Sequence, residues 1–204
     1  MNWIESITGQ VRDVLEGNVQ ALQHWREQVP AQNHRVKNFE NWVLVELVHR
    51  LRQSGAQPIK TNGYINDTWR PRYTVAEVQK EMRAEGLRGP KTRVGSLSAD
   101  VSFVRPPKDE PLNLEIKTQT DIQEVLTDLV IVRTHNRLEP RRDYRAAFIW
   151  VVIEPLDEKY ARGVRKTVEK IRRRAAKLGA DMALRPVGKG GGIIYGVTAP
   201  GAGA

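Results

Sequence analysis

Asp100, Glu115 and Lys117 are the residues of this chain whose types and spacing could do chemistry. Asp100 lies in Ala99-Asp100-Val101-Ser102-Phe103-Val104, and the other two lie in Leu112-Asn113-Leu114-Glu115-Ile116-Lys117, stretches with the alternation of half-buried strands. Successive side chains of a strand point to opposite faces, so Asp100 and Ser102 share one face of the first, and Asn113, Glu115 and Lys117 share one face of the second. Pairing Val104 with Pro111 and Arg105 with Glu110 closes a hairpin through a loop of about four residues and sets Asp100 directly opposite Glu115. Carboxylates opposed in this way have Cβ atoms roughly 4.5–5.5 Å apart and repel unless a cation stands between them. A hard divalent ion such as magnesium meets that demand with oxygen ligands from the two carboxylates and a backbone carbonyl, completed by water. Lys117, on the same face, could orient an attacking water or stabilise charge on a phosphate. Together these are the groups that metal-dependent phosphodiester hydrolysis requires. A register shift of two would set Asp100 opposite Lys117 and keep the shared face. The competing reading is an exposed acid and a Glu-Lys pair on the solvent side of an ordinary amphipathic hairpin.

Composition narrows the partners. Among 204 residues, 33 Lys and Arg against 24 Asp and Glu leave a net charge of +9, which favours a polyanionic partner, a bias that ribosomal and membrane-surface proteins share. The absence of cysteine excludes disulfide frameworks and thiolate zinc sites or nucleophiles. His24, His34, His49 and His135 show no zinc-ligand spacing, and neither Gly89-Pro90-Lys91-Thr92 nor Gly188-Lys189-Gly190-Gly191-Gly192 supplies a nucleotide-phosphate loop. Without a bilayer-length apolar run or an export signal, the expected protein is soluble and cytoplasmic, with no membrane partner.

The elements that must position these residues follow from periodicity. Residues 2–29 carry apolar side chains at helical spacing, weakened at Gly9 and Gly17 and ended at Pro30, which predicts an amphipathic helix or helix pair that docks on the body or forms a homodimer contact. A second helix is expected from Phe39 to about Gln53, apolar around much of its circumference, with Glu40 and Glu46 standing out and Gly55 as its stop. Glu40 could serve the helix N-terminus, and Glu46 could pair with Arg50 one turn on. Gln57 to Tyr64 reads as a strand. An insertion over 66–93 holds Trp69-Arg70-Pro71-Arg72-Tyr73, whose interleaved basic and aromatic residues suit nucleic acid or simply pack a surface loop, and then a short helix opened by the capping box Thr74-Val75-Ala76-Glu77 and stopped at Gly86.

Past the Glu-x-Lys strand, Thr120-Asp121-Ile122-Gln123 has capping-box spacing for a helix to about Asn136, and Arg145 to Ile153 reads as a central strand covered on both faces. A helix from about Asp157 to Leu178 carries nine Lys and Arg, either a solvated face or a track for a nucleic-acid backbone. A hairpin, Ala183 to Val187 and Ile193 to Val197, closes the order, and 199–204 reads as a disordered tail.

An Asp on one strand, Glu-x-Lys on the next and a Glu on a preceding helix, in this element order, resembles the PD-(D/E)XK nuclease superfamily over roughly residues 39–153. The resemblance implies an α/β fold, a mixed central sheet flanked by helices, restriction-endonuclease-like, here with an N-terminal helical extension. With the periodicity of the flanking segments, the chain divides into an N-terminal helical extension at 1–36 and a nuclease-like α/β domain at 37–198, with the insertion 66–93 and the last helix and hairpin as peripheral additions. The resemblance further implies catalytic roles for Asp100, Glu115, Lys117 and Glu40, with Glu46 an alternative for the helical acid, and metal ligation by Asp100, Glu115 and Ile116. Gln119 resembles a polar residue that some members place after the lysine; Ala99 stands where the nominal motif has proline. The expected activity is magnesium-dependent nuclease hydrolysis of phosphodiester bonds in DNA, endo- or exonucleolytic, with Arg70, Arg72, Arg165, Arg172 and Arg173 on the nucleic acid. The alternative is a catalytically inactive binding or assembly protein on the same fold.

Overall fold

Eight successive buried residues, Ala146–Ile153, make strand β4 the centre of the sheet, because only a strand covered on both faces can be apolar at every position. Its side chains alternate between two cores: Ala147, Ile149, Val151 and Ile153 enter one, and Ala146, Phe148, Trp150 and Val152 enter the other. The computed structural model describes residues 3–28, 38–62, 74–87, 99–104, 111–118, 121–138, 146–188 and 192–198. Its elements are α1 (Trp3–Gly17), α2 (Val19–Gln28), α3 (Phe39–Gln53), β1 (Ile59–Thr61), α4 (Val75–Ala84), β2 (Val101–Val104), β3 (Pro111–Lys117), α5 (Ile122–Leu138), β4, α6 (Glu158–Lys177), β5 (Asp181–Val187) and β6 (Gly192–Thr198).

The strands form one open mixed sheet in the order β1-β2-β3-β4-β6-β5. β3 and β4 run parallel through the α5 crossover, and the other neighbours are antiparallel. Helices α1 and α3 fill the core on one face; α4, α5 and α6 fill the core on the other. The chain is thus α/β with a mixed central sheet flanked by helices. The amphipathic segment at the N-terminus is a helix pair broken after Gly17, and Ile4, Ile7, Val11 and Leu15 of α1 are buried in the same core as α3 and β4. No described helix is long and apolar enough to cross a membrane.

Several local expectations need correction. α3 buries one stripe, Phe39, Val43, Leu47 and Leu51, and leaves Val45 64% exposed, so its wide apolar circumference does not mean burial on more than one side. Arg50 donates to the Asp13 carbonyl and ties α3 to α1 rather than pairing with Glu46. β1 is three residues long, since its pairing with β2 ends at Thr61 opposite Val101. Asp121 caps α5 by accepting from the Glu124 N–H at 2.9 Å, so the cap stands one residue later than the Thr120 spacing suggests. The Thr74–Glu77 capping box forms as expected, and Gly55 and Gly86 end α3 and α4 with φ of 84° and 67°, a conformation other residues resist.

One buried contact holds α5 on the sheet. Asn136 donates to the Ala146 carbonyl and accepts from the Ala146 N–H, both at 2.8 Å, where β4 begins. Asn136→Ala would leave two buried backbone groups without partners, at about 1–3 kcal/mol each. Chemical denaturation is expected to show a loss of about 2–4 kcal/mol. A loss below about 0.5 kcal/mol would mean that water replaces the amide.

Candidate active site

The hairpin register places the candidate residues. Val101 pairs with Leu114, Ser102 with Asn113, Phe103 with Leu112 and Val104 with Pro111, so the next position sets Asp100 across from Glu115. The register shifted by two does not occur. The connecting residues 105–110 lie outside the described ones. Parallel pairing of Glu115 with Phe148 and of Lys117 with Trp150 puts both ionisable side chains beside aromatic rings of the core formed with α5 and α6. This face is not the solvent side of an amphipathic hairpin. Ser102 and Asn113 are fully buried on it and joined by a 2.7 Å hydrogen bond. The face reaches partial exposure at both ends, at Val104 and Pro111 on one side of this buried pair and at Asp100, Glu115 and Lys117 on the other.

Asp100 is held from two sides. Its carbonyl accepts from the Asn62 N–H beyond β1 at 3.0 Å, and its carboxylate accepts from the Ile116 N–H of β3 at 2.7 Å. The Ile116 side chain is buried in the α1/α3 core, which anchors its backbone between the two acids. Glu40, at the first turn of α3, reaches the end of β3: it accepts from the Thr118 N–H at 3.2 Å and lies 4.0 Å from the Lys117 ammonium. Glu46 makes no such contact, and Glu40 is the helical acid that joins this cluster.

Asp128 of α5 is the member that sequence reasoning missed. Its carboxylate lies 3.2 Å from the Lys117 ammonium, closer than Glu40. The only signal was an acid set among the apolar positions Val125, Leu126, Leu129 and Val130 of a helix that follows the lysine strand. Nothing in that spacing says which strand residue it meets.

Charge does not balance here. Asp100, Glu115, Glu40 and Asp128 act on one another electrostatically, with Lys117 as the cation among them. Burial, followed by the Asp100 charge, pushes Glu115 up to about 9, and burial pushes Asp100 up to about 6 against the opposing Ile116 hydrogen bond. Burial also raises Asp128, less Lys117's opposing attraction. For Lys117 burial acts downward, but Asp128, Glu40 and Glu115 outweigh it and hold the ammonium above its ordinary range. The result is a charged lysine beside a pair of opposed carboxyls whose joint ionisation is unfavourable near neutral pH without a further cation.

These shifts set a pH dependence for the metal-free protein. Glu115 binds its proton more tightly folded than unfolded, so its contribution is fully present below the ordinary value of 4.5 and is lost as pH rises toward about 9. Asp100 adds a smaller loss of the same sign between 3.8 and about 6. Melting in chelator is expected to fall from mildly acidic to alkaline pH. A flat profile across that window would remove the coupled pair.

The expected nucleic-acid contacts fare differently. Arg165 is held by Glu154 at 2.9 Å and Glu158 at 3.0 Å, and Arg172 and Arg173 flank Glu169 at 3.7 and 3.0 Å. Arg70, Arg72 and Gln119 lie outside the described residues. Among the described residues, no group of three or more His, Cys, Asp or Glu is gathered as a metal-ion cage. No protein-family model, curated protein or solved structure matches the chain.

Proposed function

We propose that the chain is a Mg2+- or Mn2+-dependent nuclease that hydrolyses phosphodiester bonds of DNA on a restriction-endonuclease-like framework. One observation carries this reading: Asp100 and Glu115 oppose each other across β2 and β3, with Lys117 on the same face and Glu40 at the same strand end. Helices on both faces of a mixed sheet, and an acid and a Glu-x-Lys on adjacent strands, agree with the superfamily resemblance.

The donor set fits a hard divalent ion. Two half-buried, mutually repelling carboxylates need positive charge, and Lys117 is already engaged by Asp128 and Glu40. Asp100 and Glu115 would hold the ion with the Ile116 carbonyl and water, which is fewer side-chain ligands than an all-protein cage requires. When bound, such an ion supplies a more acidic water and charge neutralisation at the phosphate. The protein's own groups do the rest. The Ile116 N–H and the Asn62 N–H fix Asp100, so its free oxygen keeps one direction. Lys117 offers a full positive charge to a non-bridging phosphate oxygen or orients the attacking water, while Asp128 limits where its flexible stem can go. Glu40 secures the end of β3 through Thr118.

The test is cleavage of single-stranded, duplex and branched DNA and of RNA with magnesium, manganese or chelator. Metal-dependent cleavage of DNA is expected. Absence of both cleavage and metal binding across that set would leave the inactive binding or assembly protein.

A further inference from the structure

The nine basic residues of α6 do not form one class. Taking 100° per residue, Lys159, Arg162, Lys166, Lys170, Arg173 and Lys177 fall within an arc of about 80°. They point about 180° away from the buried Ala161, Val164, Val168, Ile171 and Ala175. All six are exposed, and the ridge they make runs about 27 Å along the helix. Among the described residues, Arg173 is paired through Glu169, while Lys159, Arg162, Lys166, Lys170 and Lys177 meet no acid in an ion pair. The acids of α6 stand on the flank instead, where Glu158 and Glu169 take up Arg165 and Arg172.

Like charge along a rigid line, compensated on this ridge at Arg173 and left without an ion pair at the other five positions, costs self-repulsion and is relieved by a partner with its own regular line of negative charge. A membrane surface fits poorly, because an interfacial helix buries an apolar face in lipid and the apolar face of α6 is already inside the core. A single strand fits poorly as well: the ridge carries no aromatic side chain on which unstacked bases could lie. A B-form duplex presents phosphates along both rims of a groove about 12 Å wide, which admits the outer half of a helix, whereas the A-form major groove is too narrow.

We propose that the ridge Lys159, Arg162, Lys166, Lys170, Arg173 and Lys177 is a sequence-independent docking surface for the backbone of duplex DNA. It is separate from the Asp100/Glu115/Lys117 cluster, and it names as contacts the outward cations of α6 rather than Arg165 and Arg172. It rests on the nuclease reading only in taking DNA as the partner.

The experiment is binding of a fluorescent 25-base-pair DNA duplex by the full chain in chelator, followed by anisotropy from low to moderate salt. Neutralising three ridge cations together, Arg162→Gln with Lys166→Gln and Lys170→Gln, should reduce the slope of log K against log salt by about 2–3. Replacing Arg52, Lys80 and Arg83, exposed cations off the ridge, by Gln should change it by less than about 1. Exchanging Lys166 and Lys170 for Arg should keep the slope. Equal losses from both triple variants, an undiminished slope in the ridge variant, or stronger binding to single-stranded DNA, duplex RNA or phosphatidylserine vesicles would overturn the proposal. Chelator separates the two readings. A wild-type protein that cleaves in magnesium while the ridge variant keeps its slope overturns the ridge alone; one that never cleaves while the ridge variant loses slope overturns the nuclease alone.

Discussion

Glu115→Gln is expected to abolish metal-dependent cleavage and, in the same protein, to raise the melting temperature at pH 8 in chelator. The two effects have one cause. Glu115 is half-buried beside Phe148 and opposite Asp100, so its carboxylate is unfavourable until a cation arrives. Gln keeps the shape and removes the charge, which relieves the fold and deletes a ligand. Cleavage should fall on the order of 10²–10³-fold or more, the scale on which preorganised electrostatic groups act. Lys117→Ala should lose cleavage on the same scale but lower stability, because Asp128 and Glu40 then lose the ammonium that pairs with them. Asp128→Asn should sit between, with a loss on the order of 10–100-fold that falls on kcat more than on KM, since Asp128 positions the lysine without touching the phosphate. Undiminished cleavage by the Glu115 variant would end the assignment. A fall in its melting temperature would show that the pair is already neutralised without metal.

Magnesium or manganese should raise the melting temperature of the wild-type protein at pH 8. An ion present at 100 times its dissociation constant adds about 2.7 kcal/mol, which for a domain of this size is roughly 5–10 °C. The gain is expected to be larger at pH 8 than at pH 5, because at acidic pH the ion competes with the protons that Glu115 and Asp100 retain. It should vanish in the Glu115→Gln variant and shrink in Asp100→Asn. Differential scanning fluorimetry with calcium and sodium as controls reads this without any substrate. Equal stabilisation of wild type and both variants would mean that the ion binds elsewhere.

The β2–β3 register was legible from residues alone because strand side chains alternate with a period of two and a loop of about four residues allows few pairings. Asp100 opposite Glu115 follows from those two constraints, and the structure has that register. Centrality of β4 was legible for a similar reason: an unbroken apolar run has no solvent face to offer. The helix starts and stops at Thr74, Gly55 and Gly86 are local hydrogen-bond and backbone matters, and they too were readable.

What lies above the hairpin was not. That Asp128 meets Lys117 depends on how α5 returns over β3, a tertiary approach that no periodicity encodes. The same holds for the choice of Glu40 over Glu46, made by which end of α3 abuts Thr118, and for the burial of Ser102 and Asn113, whose mutual hydrogen bond lets a polar pair sit under a helix layer. On α6 the sequence carried nine cations without saying which would be spent on Glu154, Glu158 and Glu169; packing of the apolar stripe turned six of them outward. Period and turn chemistry act within a few residues and are written in order along the chain, whereas the partner of a buried charge is settled only when separate elements are packed together.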